Sequence, residues 1–158
     1  RVDNPCRPAA GHPARRGTRS AKSRLASPGR PLYGFRMRFS QEKIDGNSIS
    51  AYTSGQVTVN GESITNSVIV TPERIIHDWL PAVFEEMQAS HLERFDQLEP
   101  EIILIGTGDT LRFPPAAWTA AYLAQGIGVE IMDTAAACRT YNVLLSEDRR
   151  VVAALLIG

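Results

Sequence analysis

Apolar residues come in two rhythms along this chain, and the change from one to the other divides it. Residues 44–70 alternate at period two between closely spaced turn signals. Asp45-Gly46-Asn47 comes first, then alternation about Ile49 and Tyr52, Ser54-Gly55, a second alternation over 56–59, and Asn60-Gly61. Asn-Gly tolerates positive φ at both turn positions, so an antiparallel meander of strands at 48–53, 56–59 and 62–70 is predicted. Residues 74–87 contain Trp79 and Pro81 and predict an irregular connector, because proline breaks a helix interior. Ser90 as N-cap, with Glu93 three residues on, predicts a helix over 91–98 that buries Leu92, Phe95 and Leu98 and stops at Pro100.

Downstream the apolar residues bunch. Residues 102–105 are all apolar and run into Gly106-Thr107-Gly108, which predicts a strand buried on both faces, as in a parallel central sheet. Pro114-Pro115 opens a helix over 116–125, with Trp118, Ala121 and Tyr122 at helical spacing and Gly126 to end it. A strand at 127–132 follows. Asp133 or Thr134 then caps a helix over 135–145 with Cys138, Tyr141 and Leu145 on one face, and residues 151–157 form a last apolar strand. The expected fold is a single α/β domain: a mixed β-sheet with an antiparallel N-terminal meander, a βαβαβ C-terminal half, and helices packed on the sheet.

The formal charge of zero conceals two materials. Residues 1–36 hold nine Lys and Arg and one acid, a charge of +8, whereas residues 37–158 hold eight and sixteen, a charge of −8. The first segment has five prolines, four glycines and few bulky apolar residues. It cannot bury enough apolar surface to offset the entropy of ordering, so a disordered basic tail is expected. Its Arg and Ser content also fits a transit peptide, but Pro and Gly interrupt any apolar face. Met37 reads as the natural start, residues 1–36 as an upstream or non-native extension, and residues 37–158 as the domain. That acidic domain repels phosphates, so nucleic acid is not an expected partner. No run approaches the roughly 18 apolar residues that cross a bilayer, so membrane insertion is not expected. Cys6 and Cys138 lie in different segments, which argues against a structural disulfide and fits a reducing compartment. A bacterial cytoplasm is the expected location, or the mitochondrion if the tail is a transit peptide.

Ligands in such sheets favour the crevice beyond the carboxyl ends of parallel strands, where residues 106–114 and Asp133-Thr134 should meet. Gly106 and Gly108 let a backbone approach a ligand, and Thr107 offers a hydroxyl. Arg112 offers a guanidinium fork, and the helix starting at Thr134 offers free N–H groups to an anion. The same residues also suit a tight strand-to-helix turn with Arg112 paired to Asp109 or Asp133. GTGD is neither a Walker loop nor a complete dinucleotide fingerprint. Arg139, Thr140 and Asn142 lie on an otherwise small and apolar helix, where they suit a ligand, a partner or a hydrogen-bond network. The candidate ligand-binding set is therefore Gly106, Thr107, Gly108, Arg112, Thr134, Arg139 and Asn142. Cys138 has no base at a spacing that would make it a nucleophile, and the histidines and cysteines lack metal-ligand spacing. No catalytic residue, metal or cofactor is predicted.

Taken in order, SVIVTP, a connector Trp, EIILIGTG, PP before a helix, GIGVEIMDT, ACRTYNVLL and EDRRVVAALL carry a family resemblance. The chain resembles the family of the mitochondrial NADH dehydrogenase (complex I) assembly factor three and the adipogenesis-associated protein, whose bacterial members are a domain of unknown function. The resemblance implies a single α/β domain and a non-enzymatic role, with no established catalytic residue or cofactor. The function expected is a protein-interaction domain that helps to assemble a respiratory or membrane complex. Apolar and aromatic residues at 79–84, or around Phe113 and Trp118, are candidates for the partner face. The alternative is a small-molecule or anion-binding protein, or an enzyme, using the Gly106 to Arg112 and Asp133-Thr134 crevice. Sheet edges are compatible with a homo-oligomer and give no basis for choosing a symmetry.

Overall fold

A computed structural model describes residues 45–158; the expectations for the basic tail and for Met37 as the start lie outside the described residues. Three short strands, β1 (Ile49–Thr53), β2 (Gln56–Val59) and β3 (Glu62–Ile64), form an antiparallel sheet with Asn60-Gly61 at the β2–β3 turn. Both turn residues adopt positive φ, +51° and +85°, as the hairpin requires. The strand expected over 62–70 is in fact two. Thr65, Asn66 and Ser67 interrupt it, and β4 (Val68–Val70) joins a second sheet. There it pairs with β5 (Ile75–Ile76), a strand too short to announce itself by alternation.

The second sheet has five strands in the order β5-β4-β8-β6-β7. β8 (Val151–Leu156) is its middle strand, and β6 (Ile102–Thr107) lies between β8 and the edge strand β7 (Gly128–Met132), parallel to both. The chain leaves β6 for β7 through α2 (Ala116–Ala124), then returns across β6 to β8 through α3 (Thr134–Ser146). Crossovers of one hand that run in opposite directions put their helices on opposite faces. Two apolar cores result. On one face, Ala137, Cys138, Tyr141 and Leu145 of α3 pack with Leu104, Val151, Ala153 and Leu155 and with the inner residues of the small sheet. On the other, Tyr122 of α2 packs with Ile103, Ile105, Val152, Ala154 and Leu156, and with Trp79, Met87, Leu92 and Phe95. Alternate residues of β6 and β8 thus feed different cores, which is why both read as unbroken apolar runs.

The connector is irregular, as expected, with a cis Leu80–Pro81 bond and a 3-10 turn at Phe84–Glu86. The helix predicted over 91–98 starts earlier and tightens sooner. Its α-helical part is α1 (Ala89–Leu92), continued as 3-10 helix through Glu93–Leu98. Ser90 lies inside α1, and the cap is made by Gln88, whose N–H donates to His91 Nδ1 at 3.1 Å. Leu92 and Phe95 are buried and Leu98 half-buried, as their spacing predicts. On α2, Thr119 shares the inward face with Tyr122, whereas Ala121 faces solvent.

Asn142 ties α3 to the small sheet. Its Oδ1 accepts from the Ile49 N–H at 3.0 Å and its Nδ2 donates to the Ile49 carbonyl at 2.6 Å, so one amide does for β1 what a neighbouring strand would do. Tyr141 adds a hydroxyl bond of 2.7 Å to the Asn47 carbonyl. Asn142→Ala strands both backbone groups of the buried Ile49 and is expected to destabilise the chain by about 2 kcal/mol in urea unfolding. A loss below about 0.5 kcal/mol, the range of ordinary surface substitutions, would mean that the small sheet is held by packing alone.

Candidate functional site

The carboxyl end of β6 lies where the two crossovers diverge, the position at which open α/β sheets present a crevice. Here that crevice is closed by the protein's own groups. Gly106 has no room for a side chain. A Cβ would stand 2.9 Å from Thr134 Oγ1 and 3.0 Å from Thr134 Cα, so the glycine lets α3 start directly against the strand. Thr134 is fully buried, accepts from the Gly108 N–H at 2.9 Å and donates to the Leu156 carbonyl at 2.6 Å. Its own N–H donates to the Gly108 carbonyl at 2.9 Å. Gly108 sits at φ +91°, and a Cβ there would be 2.5 Å from the Gly158 carbonyl oxygen. The Thr107 hydroxyl lies 2.8 Å from the Thr110 carbonyl and 3.2 Å from that of Met132, and accepts from the Arg112 N–H. Asp133 caps α3 by accepting from the Ala136 N–H at 2.8 Å.

Four of the predicted ligand-binding residues, Gly106, Thr107, Gly108 and Thr134, therefore meet as expected, and their polar groups are used inside the protein: Gly108 and Thr134 bond each other, Thr134 also bonds Leu156, and Thr107 bonds Thr110, Met132 and Arg112. The other three are elsewhere. Arg112 turns outward, pairs with Glu85 and lies 5.8 Å above the Phe84 ring. Neither of the acids suggested as its partner holds it. Asn142 serves β1, and Arg139 is exposed on α3 with no salt bridge to a described residue. Cys138 is buried, which pushes its thiol up to about 12 and leaves almost no thiolate at neutral pH. Among the described residues no group of three or more His, Cys, Asp and Glu side chains is placed to hold a metal ion.

Asp109 instead ties the β6 loop to the first hairpin. It accepts from Ser54 Oγ at 2.5 Å and from the Tyr52 hydroxyl at 2.7 Å. These two bonds, Ser54's first, hold its carboxyl below the usual carboxylate range, while burial and the same contact raise the Tyr52 phenol.

The most unusual surface belongs to α2. Phe113 to Val129 contains no charged residue, and α2 itself is AAWTAAYLA. A helix that is apolar all round is normally buried all round. Only Thr119 and Tyr122 of this one are buried, whereas Ala116, Ala117, Ala120, Ala121, Leu123 and Ala124 are exposed. Leu123 retains 55% of its accessible surface and nearby Phe113 70%. At the start of α2 a groove of about 450 Å³ is lined by Phe84, Glu85, Met87, Arg112, Pro115 and Trp118. Of the expected partner-face residues, Trp79 is excluded. It is buried, tilted against Phe95 at 6.5 Å, and donates through Nε1 to the His91 carbonyl. Leu80 and Phe113 are exposed and Phe84 and Trp118 half-buried. The outer face of α2 escapes a reading by periodicity, which assigns apolar residues inward. Its signal was the 17-residue absence of charge from Phe113 to Val129.

Because its folded pKa is depressed, Asp109 contributes stability that is complete above the unfolded carboxylate value of about 3.9 and is lost as pH falls through the lower folded value. Asp109→Asn is expected to lower the melting temperature at pH 7 and to flatten its fall between about pH 5 and pH 2. Superimposable melting-versus-pH curves for the two proteins would show that this link carries no stability.

Comparison with known proteins fits this architecture. The profile described as "Protein of unknown function (DUF498/DUF598)" matches residues 49–156. The NADH dehydrogenase [ubiquinone] 1 alpha subcomplex assembly factor 3 of Xenopus tropicalis is 34% identical over 111 residues, 69% of this chain and 60% of that protein. The chain thus spans about 60% of the length of that relative. A "13 kDa major membrane protein" of Francisella tularensis is 30% identical over 118 residues, 73% of this chain and 95% of that protein. The NMR structure of a Xanthomonas campestris protein superposes with a TM-score of 0.66 at 37% identity, covering 77% of this chain and 93% of that one. The resemblance to the assembly factor three family is borne out, and so is the mixed α/β domain. The chain belongs to the DUF498/DUF598 family of proteins of unknown function.

Proposed function

We propose that this domain is a non-enzymatic interaction module that assists assembly of a respiratory or membrane complex, and that it engages its protein partner through the outer face of α2 and the adjoining groove. The observation that carries this reading is the uncharged helix left uncovered on one side. Exposed alanines from Ala116 to Ala124 form a flat apolar strip beside Leu123, and the groove at its start holds the half-buried rings of Phe84 and Trp118. Surfaces of this kind cost free energy in water and mark binding faces. The assembly-factor name of the Xenopus relative agrees with such a role. Among the described residues no helix is long and apolar enough to cross a membrane.

The β6 crevice offers less. The Gly108 N–H and the Thr107 and Thr134 hydroxyls already have partners inside the protein, and Arg112 is engaged by Glu85. An anion placed there would have to displace bonds that hold α3 to the sheet.

The test is a double variant, Ala120→Glu with Leu123→Glu, expressed from the native locus, with the assembled NADH dehydrogenase measured on native gels. Both positions are exposed and Glu is a good helix former, so the melting temperature is expected to hold. The assembled complex is expected to fall by about tenfold, as for loss of a central contact. Undiminished complex in the presence of a folded double variant would overturn the proposal.

A further inference from the structure

The charges around the α2 face narrow the partner's chemistry, on the reading just proposed that this face is the docking surface. From Phe113 to Cys138 there is no Lys or Arg, and the charged groups bordering the face are mostly acids. Glu85 lines the groove at the start of α2 and Glu86 follows it. Along the flank, the Asp96 carboxylate accepts from the Tyr122 hydroxyl at 2.8 Å, and the charge of Glu93 is near enough to help raise the Tyr122 phenol, after burial and Asp96. Of these four acids only Glu85 has a basic partner among the described residues, Arg112. Glu86 accepts from the Ala82 N–H at 3.2 Å, and Glu86, Glu93 and Asp96 are all exposed.

We infer that the segment docked on α2 is an apolar helix of a partner protein with basic residues flanking its apolar stretch. The exposed alanines at 117, 120, 121 and 124 repeat at helical spacing and let another helix approach closely, while the groove between Phe84, Met87 and Trp118 accepts one large apolar side chain. Lysines or arginines at the ends of that helix reach Glu86, Glu93 and Asp96, giving the charge complementarity that fixes orientation. The same charge disfavours other occupants. The described residues carry 15 acids and six arginines, a charge of −9, so this part of the chain offers an anionic bilayer no net attraction; the balancing +9 lies in residues 1–44. A second copy would bring the same charge, and the same acid rim, against this one.

The probe is a fluorescent synthetic leucine–alanine helix with lysines at both ends, compared by anisotropy with the same helix ending in glutamates. The full chain is titrated as wild type and as three variants. Ala120→Arg blocks the face. Glu86→Gln/Glu93→Gln/Asp96→Asn neutralises the rim. Glu73→Gln/Glu147→Gln/Asp148→Asn removes equal charge elsewhere. The lysine peptide is expected to bind about tenfold or more tighter than the glutamate peptide. That preference should fall toward parity in the rim variant and in high salt, and survive in the remote-charge variant. Ala120→Arg should abolish binding of both. Equal binding of the two peptides, lost in Ala120→Arg, overturns the basic-flank inference while leaving α2 as the docking face. Binding unaffected by Ala120→Arg overturns the docking face itself, and binding of neither peptide overturns the inferred partner. Co-sedimentation with phosphatidylcholine or phosphatidylglycerol vesicles, or dimerisation in sedimentation velocity, replaces the inferred occupant if Ala120→Arg removes it.

Discussion

Helix α3 starts directly against β6 because residue 106 has no side chain. With a Cβ at that position, the Thr134 hydroxyl and Cα would be 2.9 and 3.0 Å away, the first closer than real side chains come and the second tighter than most contacts. The approach lets one buried hydroxyl bond the Gly108 N–H and the Leu156 carbonyl, joining the end of β6, the end of β8 and the start of α3. Thr107 extends the link to β7 through the Met132 carbonyl. Buried groups of this kind are costly when unpaired, and here each finds its partner only in this one arrangement. The position of α3 then sets that of the small sheet, since Asn142 and Tyr141 reach from it to the backbone of Ile49 and Asn47.

The two faces of the large sheet consequently differ. The α3 face is sealed by β1–β3, and the residues that looked like a polar functional group on α3 are partly absorbed in that seal. The α2 face has no second layer. Trp79, Leu92, Phe95 and Tyr122 cover the sheet beneath, but nothing among the described residues covers the outside of α2. A helix without charges on its exposed side gains little from water and loses little on meeting an apolar surface, so the desolvation that opposes most polar contacts is small there. This asymmetry, more than any single residue, gives the domain a direction.

Elements whose burial is decided locally were legible in the sequence. β6 and β8 are buried on both faces and read as apolar runs. The β2–β3 hairpin was announced by Asn60-Gly61, and α3 by Asp133 and its apolar face. Elements decided by distant partners were not. The break between β3 and β4 depends on which sheet each strand joins, and β5 has only two residues. Asn142 was visible as a polar residue on an apolar helix, but its partner lies 93 residues away. The same holds for the candidate site: Gly106 and Thr134 were placed together correctly by topology, while the hydrogen bonds that occupy them depend on Leu156 and Gly108. Periodicity put Ala121 inside and gave no hint that most of α2 stays outside, because alanine fits either environment.

The central claim, that the uncovered side of α2 is where the protein meets its partner, is tested most directly by photo-crosslinking in the living cell. A photoreactive residue is placed at Ala120 or, for comparison, at Val143, which is also exposed, at 56%, but lies on the α3 side. The account predicts a discrete crosslinked protein from position 120 and none from position 143. A crosslink from position 143 with none from position 120 would contradict it and move the interface to the opposite face.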